Sequence, residues 1–180
     1  MKKKVIGIVG TIGAGKDTVG DYIAKKLGIP SFQISSPLKA ILLEREQELT
    51  RENLVRIGNE LASEKGEGYL AEYIIEHAPN RLIITGIRQL GQISYLRSSS
   101  DLILISVDAT PEIRFDRVKN NSKVIEAKNL AEFIEHEKAE NSAPNIQRLF
   151  ECMKHAEYQI RNEGSIDDLY SQLDCMLQKF

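Results

Sequence analysis

The 180-residue chain carries 24 lysines and arginines against 26 aspartates and glutamates, a formal net charge of −2, and 42% of its residues are hydrophobic. This is the composition of a globular protein of one domain, and without a long basic run it disfavours binding to nucleic-acid polymers or membrane surfaces. No apolar stretch approaches the roughly 20 residues that span a bilayer, and Cys152 and Cys175 lack metal or redox spacing, so we expect a cytoplasmic monomer or homodimer with reduced cysteines.

The first half of the chain alternates between strand and helix patterns. The β-branched run Lys4–Gly10 predicts a strand that is buried on both faces. Helical spacing of apolar residues over 16–27 predicts a helix, which Gly28 and Pro30 end. A second strand is predicted over 31–35. Two or three helices follow in the segment 37–78, over 37–49, 50–64 and 68–78.

The second half continues the alternation. Strands are predicted over 81–87 and 101–109, with a crossover helix between them. A helix then starts at Thr110 and leads into a polar stretch over 120–145 that contains a helical piece. The chain ends with a helix over 145–156, a strand over 158–162 and a last helix capped by Ser165. Strands separated by helices imply a parallel sheet. The sequence therefore predicts a three-layer α/β fold, a five-stranded parallel sheet with helices on both faces, in a single domain 1–180.

A glycine-rich loop lies between the first strand and the first helix. Its glycines let successive backbone N–H groups turn toward phosphate oxygens, and the helix that follows adds the positive end of its dipole. A lysine after such a loop reaches the β- and γ-phosphates of a nucleotide. The predicted nucleotide-binding residues of this loop are Gly10, Thr11, Ile12, Gly13, Ala14, Gly15, Lys16, Asp17 and Thr18.

Asp17 stands where a serine or threonine usually follows the lysine. A carboxylate is a stronger ligand for Mg²⁺ than a hydroxyl, but it repels the phosphates when the metal is absent. We therefore predict that Asp17 holds Mg²⁺. An acidic residue that only complements the helix dipole is the alternative.

Several segments carry a family resemblance. "GAGKDT", "SSPLKA", "TRENLVRIGNELASEKG" and "TGIRQLGQ" resemble the nucleoside and deoxynucleoside monophosphate kinases of the P-loop group. "VDATPEIRFDRVK" and "IRNEGSIDDL" are similar to stretches of dephospho-CoA kinase-like and adenylate kinase-like relatives. The resemblance implies a P-loop NTPase fold, ATP and Mg²⁺ as cofactors, a helical acceptor-binding insert over 37–78 and a lid over about 114–145.

The resemblance also assigns roles to single residues. It implies that Lys16, Arg88 and Arg117 are catalytic and that Arg88 holds the phosphate of the acceptor. It places the remaining candidates in three groups: Ser36, Lys39 and Arg51 at the acceptor, Arg114 with Arg117 on the lid, and Asn162 with Gly164 at the adenine base.

Three carboxylates common in these relatives are absent. Thr85 and Gln92 occupy two of the positions, and Ser36 precedes Pro37 where an aspartate is frequent.

The leading hypothesis is phosphoryl transfer from ATP to a nucleoside or deoxynucleoside monophosphate. Two alternatives remain open: phosphorylation of a hydroxyl, as in dephospho-CoA kinase, and a nucleotide-binding regulator whose catalysis has decayed.

Overall fold

The central sheet sets the position of every other element. The computed structural model describes residues 2–120, 127–141 and 148–178, apart from the side chain of Arg51. Within them, five parallel strands pair in the order β2-β3-β1-β4-β5. The strands are β1 (Lys3–Gly10), β2 (Ser31–Gln33), β3 (Arg81–Thr85), β4 (Ser100–Asp108) and β5 (Tyr158–Arg161).

Helices cover both faces of this sheet. They are α1 (Lys16–Leu27), α2 (Ser36–Glu44), α3 (Arg51–Lys65), α4 (Tyr69–His77), α5 (Leu90–Ser99), α6 (Pro111–Val118), α7 (Leu130–Glu140), α8 (Leu149–Lys154) and α9 (Ile166–Leu177). Side chains alternate along β1, so that Val5 and Val9 join the core under α2–α5 and α8. Ile6 and Ile8 join the core under α1 and α9. The predicted three-layer fold is confirmed.

Several predicted boundaries shift: β3 ends at Thr85 instead of residue 87, and α8 covers only Leu149–Lys154 of the predicted helix 145–156. The cap of α3 is confirmed, since the Asn53 N–H donates to Thr50 Oγ1 at 3.1 Å. However, β2 ends at Gln33, and α2 ends at Glu44 instead of continuing to residue 49. The backbone at Glu46 has a φ of 54°, a left-handed conformation that an α-helix cannot contain. None of the helices in the described part of the chain is long and apolar enough to cross a membrane.

Candidate active site

The phosphate loop runs from Gly10, at the end of β1, to the start of α1. Gly13 and Gly15 have φ angles of 78° and 94°, which favour glycine. A Cβ at Gly13 would lie 2.6 Å from the carbonyl oxygen of Arg114, and one at Gly15 would lie 2.5 Å from Asn162 Nδ2. These positions therefore need glycine for both conformation and space.

Side chains from outside the loop hold its carbonyl groups. Arg114 Nη1 donates to Ile12 O at 3.3 Å, Arg117 Nη1 to Gly13 O at 3.3 Å, and Asn162 Nδ2 to Ala14 O at 2.8 Å. In a trans peptide the next N–H points opposite to the carbonyl. The N–H groups of Gly13 and Gly15 therefore face away from these side chains. Together with the first N–H groups of α1 they form a cradle that fits a phosphate.

Lys16 lies beside this cradle and is mostly buried, with 19% of its side chain exposed. Burial is the main reason that its pKa lies below the ordinary value for lysine, and the positive charge of Arg88 lowers the pKa further. The Asp17 carboxylate, 3.7 Å from Lys16 Nζ, opposes both effects. Two cations therefore converge on one place, which is the electrostatic arrangement of an anion site.

Asp108, at the end of β4, anchors the start of the loop. It accepts a hydrogen bond of 2.7 Å from Thr11 Oγ1, and it lies 3.6 Å from both Arg114 Nε and Arg161 Nη1. The sequence analysis missed this role. Its position at the carboxyl end of a central strand was the available signal, because loops and ligands of parallel sheets gather at that edge.

Arg114 is buried in the structure, whereas the family resemblance implied a position on a lid. Its side chain is 4% exposed and forms a bidentate ion pair with Glu137 of α7, at 2.5 and 2.8 Å. The guanidinium also lies over the Phe133 ring, 5.4 Å from its centroid. The buried carboxylate of Glu137 keeps this arginine in the interior, where it supports Ile12. It is a structural residue of the loop in this conformation.

Arg117 and Asn162 lie on the outer side of the loop. Arg117 is exposed, and its Nη2 donates to Asn162 O at 2.9 Å, so its role on a lid stays a prediction. The Asn162 amide supports Ala14 and is 8% exposed, while Gly164 is exposed between β5 and α9. Their contact with adenine stays a prediction. Residues 121–126 and 142–147, which include parts of the predicted lid, lie outside the described residues.

A cleft of about 370 Å³ opens next to the cradle. One wall is apolar and consists of Ile34, Leu38, Leu54, Val55 and Leu70. Amide side chains line other parts of the cleft, namely Gln33, Asn59, Gln89 and Gln92. The charged lining residues are Lys16, Asp17, Arg88 and Glu140. The cleft therefore combines apolar side chains with hydrogen-bonding amides and an anion site.

Arg88 is held in the cleft through its backbone. Its N–H donates to Gln92 Oε1 at 3.0 Å, and its carbonyl accepts from the Arg148 N–H at 2.9 Å. Gln92 is 2% exposed and also bonds Gln89, so it fixes this loop at the position where the family resemblance implied an acid. The guanidinium of Arg88 lies 3.9 Å from Glu140 Oε2 of α7.

The other predicted acceptor residues are less central. Ser35, and not Ser36, lines the cleft. Lys39 is exposed and donates to Gln33 Oε1 at 2.7 Å, at the edge of the cleft. The side chain of Arg51 lies outside the described part of the chain.

Asp17 is the carboxylate best placed for Mg²⁺. It lies in the first turn of α1 and its side chain is 56% exposed. Among the described residues, no group of three His, Cys, Asp or Glu side chains could hold a metal. Mg²⁺ in phosphoryl-transfer sites needs only one or two carboxylates, because phosphates and water supply the other ligands. The site therefore fits Mg²⁺ that arrives with a nucleotide.

Solved structures show the class of fold to which this site belongs. Shikimate kinase from Bacteroides thetaiotaomicron matches 99% of this chain and 98% of its own, with a TM-score of 0.62 and 16% identity. Shikimate kinase from Acinetobacter baumannii, in complex with shikimate, matches 99% of this chain and 95% of its own, with a TM-score of 0.62 and 15% identity. The chain has the P-loop kinase fold.

Sequence comparisons give the family. A family model described as an AAA domain matches residues 6–141. UPF0200 protein MJ1399 of Methanocaldococcus jannaschii is 30% identical over 181 residues, which are 97% of this chain and 89% of that protein. The chain therefore belongs to the AAA-domain family and to the UPF0200 proteins.

Proposed function

We propose that the protein is a kinase that transfers the γ-phosphoryl group of ATP to a nucleoside or deoxynucleoside monophosphate. One observation carries the proposal. Lys16, beside the phosphate cradle, and Arg88 line the same cleft, and the charge of Arg88 contributes to the lowered pKa of Lys16. Two cations at the junction of two binding spaces fit a donor phosphate on one side and an acceptor phosphate on the other.

Each of the two cations has a distinct role in this reaction. Lys16 neutralises charge on the β- and γ-phosphates, and Arg88 orients the phosphate of the acceptor for in-line attack. The cradle donates hydrogen bonds from fixed N–H groups, which need no reorganisation as charge develops. We expect Arg117, which is exposed and contacts the Gly13 and Asn162 carbonyls, to leave these partners and fold over the donor phosphates when a nucleotide binds, which would exclude water.

The composition of the cleft supports a nucleoside monophosphate. Its apolar wall suits the flat face of a nucleobase, and Gln33, Asn59 and Gln89 offer donors and acceptors for the edge of the base. A phosphate acceptor also needs no general base, since its second pKa of about 6 leaves it ionised at neutral pH. The carboxylates among the lining residues are Asp17 and Glu140, which face Lys16 and Arg88.

Phosphorylation of a hydroxyl is the second candidate, and the apolar wall is the observation that favours it. A long flexible acceptor such as dephospho-CoA needs an apolar trench more than a cluster of arginines. Arg88 is the arginine among the described residues that line the cleft. A hydroxyl acceptor would then need Asp17 or Glu140 as its base.

The proposal is tested by transfer from γ-labelled ATP, with Mg²⁺, to a panel of nucleoside and deoxynucleoside monophosphates and dephospho-CoA. Transfer to a monophosphate is expected, and Arg88→Ala should lower its kcat/KM by about 10²-fold, because a charge-assisted contact to the phosphate of the acceptor is lost. Arg81→Ala, at the opposite end of β3, is the matched control and should leave transfer unchanged.

The panel also separates the candidates. Transfer to dephospho-CoA alone would establish the hydroxyl acceptor in place of the monophosphate. Tight binding of ATP without transfer to any member would contradict the kinase and favour the nucleotide-binding regulator.

The role of Asp17 predicts that ATP binds more weakly without Mg²⁺ than with it. The carboxylate repels bare phosphates and attracts them through the metal. Titration of ATP in Mg²⁺ and in EDTA measures the difference, and we expect Asp17→Asn to reduce it. Asp21→Asn, one turn further along α1, is the control. Equal affinities in Mg²⁺ and EDTA for the unaltered protein would leave Asp17 with a helix-dipole role alone.

A further inference from the structure

We propose that Glu140 is a specificity-determining residue: its carboxylate is an internal counter-ion for Arg88, and an acceptor must displace it to reach this arginine. The inference rests on the proposed function, in which Arg88 binds an anionic group of the acceptor. The inference adds that the Glu140 carboxylate competes with the acceptor for contact with Arg88. This competition would make the cleft select strongly anionic acceptors.

The geometry of the pair favours displacement. Glu140 Oε2 lies 3.9 Å from Arg88 Nη1, near the outer limit of an ion pair, and both side chains are about one-third exposed, 33% and 30%. Both residues line the cleft. A phosphate can form the shorter, bidentate contacts that guanidinium groups favour. A long, partly exposed ion pair of this kind is weak, so a dianion that contacts Arg88 more closely can replace the carboxylate of Glu140.

The position of Glu140 is locally unfavourable for an acid. It is the last residue of α7, where the negative end of the helix dipole disfavours carboxylates and favours cations. Helix formation therefore does not explain this carboxylate. An acid that conflicts with its local structure and faces a cation in a cleft is typical of a functional position.

Neighbouring contacts fix the end of α7 over the cleft. The Phe150 N–H donates to Asn141 Oδ1 at 3.2 Å, and Asn141 Nδ2 donates to Glu137 O at 2.8 Å. On the other side, the Arg148 N–H donates to Arg88 O at 2.9 Å. These contacts bring the segments on both sides of the pair together and keep the backbone of Glu140 in place beside Arg88.

The helix that presents Glu140 also contacts the phosphate loop. Glu137, one turn earlier, is 6% exposed and holds Arg114, which donates to the Ile12 carbonyl. Helix α7 therefore supports the phosphate loop through Glu137 and places the carboxylate of Glu140 beside Arg88. A weakly anionic or neutral acceptor cannot replace the carboxylate of Glu140, because it offers Arg88 less than the internal partner does.

The test measures binding of inorganic phosphate to protein saturated with Mg²⁺ and a non-hydrolysable ATP analogue, so that the donor cradle is filled. We expect Glu140→Gln, which keeps the shape and removes the charge, to tighten phosphate binding roughly two- to fivefold. Glu135→Gln on the same helix, whose side chain is exposed and pairs with Lys138, should leave binding unchanged. In an Arg88→Ala background, Glu140→Gln should have no effect.

Calorimetric titration gives these affinities without any need for turnover. Unchanged or weaker phosphate binding in Glu140→Gln, while Arg88→Ala weakens binding, would overturn the inference and leave the kinase proposal intact. If Arg88→Ala does not change phosphate binding, Arg88 does not bind the anionic group of the acceptor, and the inference on Glu140 is overturned as well. The transfer assay separately decides whether the protein is a kinase.

Discussion

Lys16→Met is expected to lower phosphoryl transfer by about 10²- to 10³-fold and, at the same time, to raise the thermal stability of the nucleotide-free protein. The loss of transfer follows from the missing charge at the β- and γ-phosphates. The gain in stability follows from removing a buried, poorly compensated cation while the apolar stem of the side chain is kept.

The sign of the stability change comes from the pKa of Lys16. Burial and Arg88 lower this pKa in the folded protein, so the unfolded chain holds the Lys16 proton more tightly. The charged form therefore destabilises the fold at neutral pH. The destabilisation fades as the pH rises from the lowered pKa to the ordinary value of 10.5.

Thermal unfolding at pH 7 and at pH 10 measures the effect. The advantage of Lys16→Met should be larger at pH 7 than at pH 10, and ATP should no longer stabilise the variant. Lys25→Met, on the exposed side of α1, is the control for charge alone. A lower melting temperature for Lys16→Met than for the unaltered protein would contradict the electrostatic account of this site.

Among the variants proposed here, Glu137→Ala should cause the largest loss in the free energy of unfolding, because it leaves the buried guanidinium of Arg114 without its carboxylate partner. Breaking a buried ion pair in this way costs about 3–5 kcal/mol. For a chain of this size that loss corresponds to a fall in melting temperature of roughly 6–20 °C. ATP binding should weaken as well, since Arg114 would no longer be fixed against the Ile12 carbonyl.

A double variant separates stability from the nucleotide site. Arg114→Leu with Glu137→Leu replaces the pair by apolar side chains and should recover most of the stability, whereas ATP binding should stay weak because the Ile12 carbonyl has lost its donor. Unfolding and ATP titration of the single and double variants, with Glu135→Gln as the control on α7, give the comparison. Full recovery of ATP binding in the double variant would exclude a role of Arg114 in the loop.

The fold could be predicted because its signals are local. The β-branched run of β1, the glycines of the phosphate loop and the caps Thr50 and Ser165 each act within a few residues, and the structure contains each of them. Their sum indicates alternating strands and helices, and the handedness of the crossovers then restricts the topology.

The partners of charged residues could not be predicted in the same way. The spacing of Arg114 and Arg117 correctly places both on one face of α6, yet it does not reveal that Glu137, 23 residues later, buries the first of them. Gln92 likewise looked like a lost acid, whereas its amide fixes the loop of Arg88. Such roles depend on contacts between distant segments, which no local pattern encodes.

The carbonyl contacts of the phosphate loop have a consequence for the order in which the protein becomes competent. The loop lies near the amino terminus, but the side chains that hold it follow 102, 104 and 148 residues later, and Asp108 follows Thr11 by 97. During synthesis the glycines leave the ribosome long before Arg114, Arg117 and Asn162 exist. The phosphate cradle can therefore become ordered only when β4, α6 and β5 have folded beside it, so we expect the loop to take its final shape late in folding.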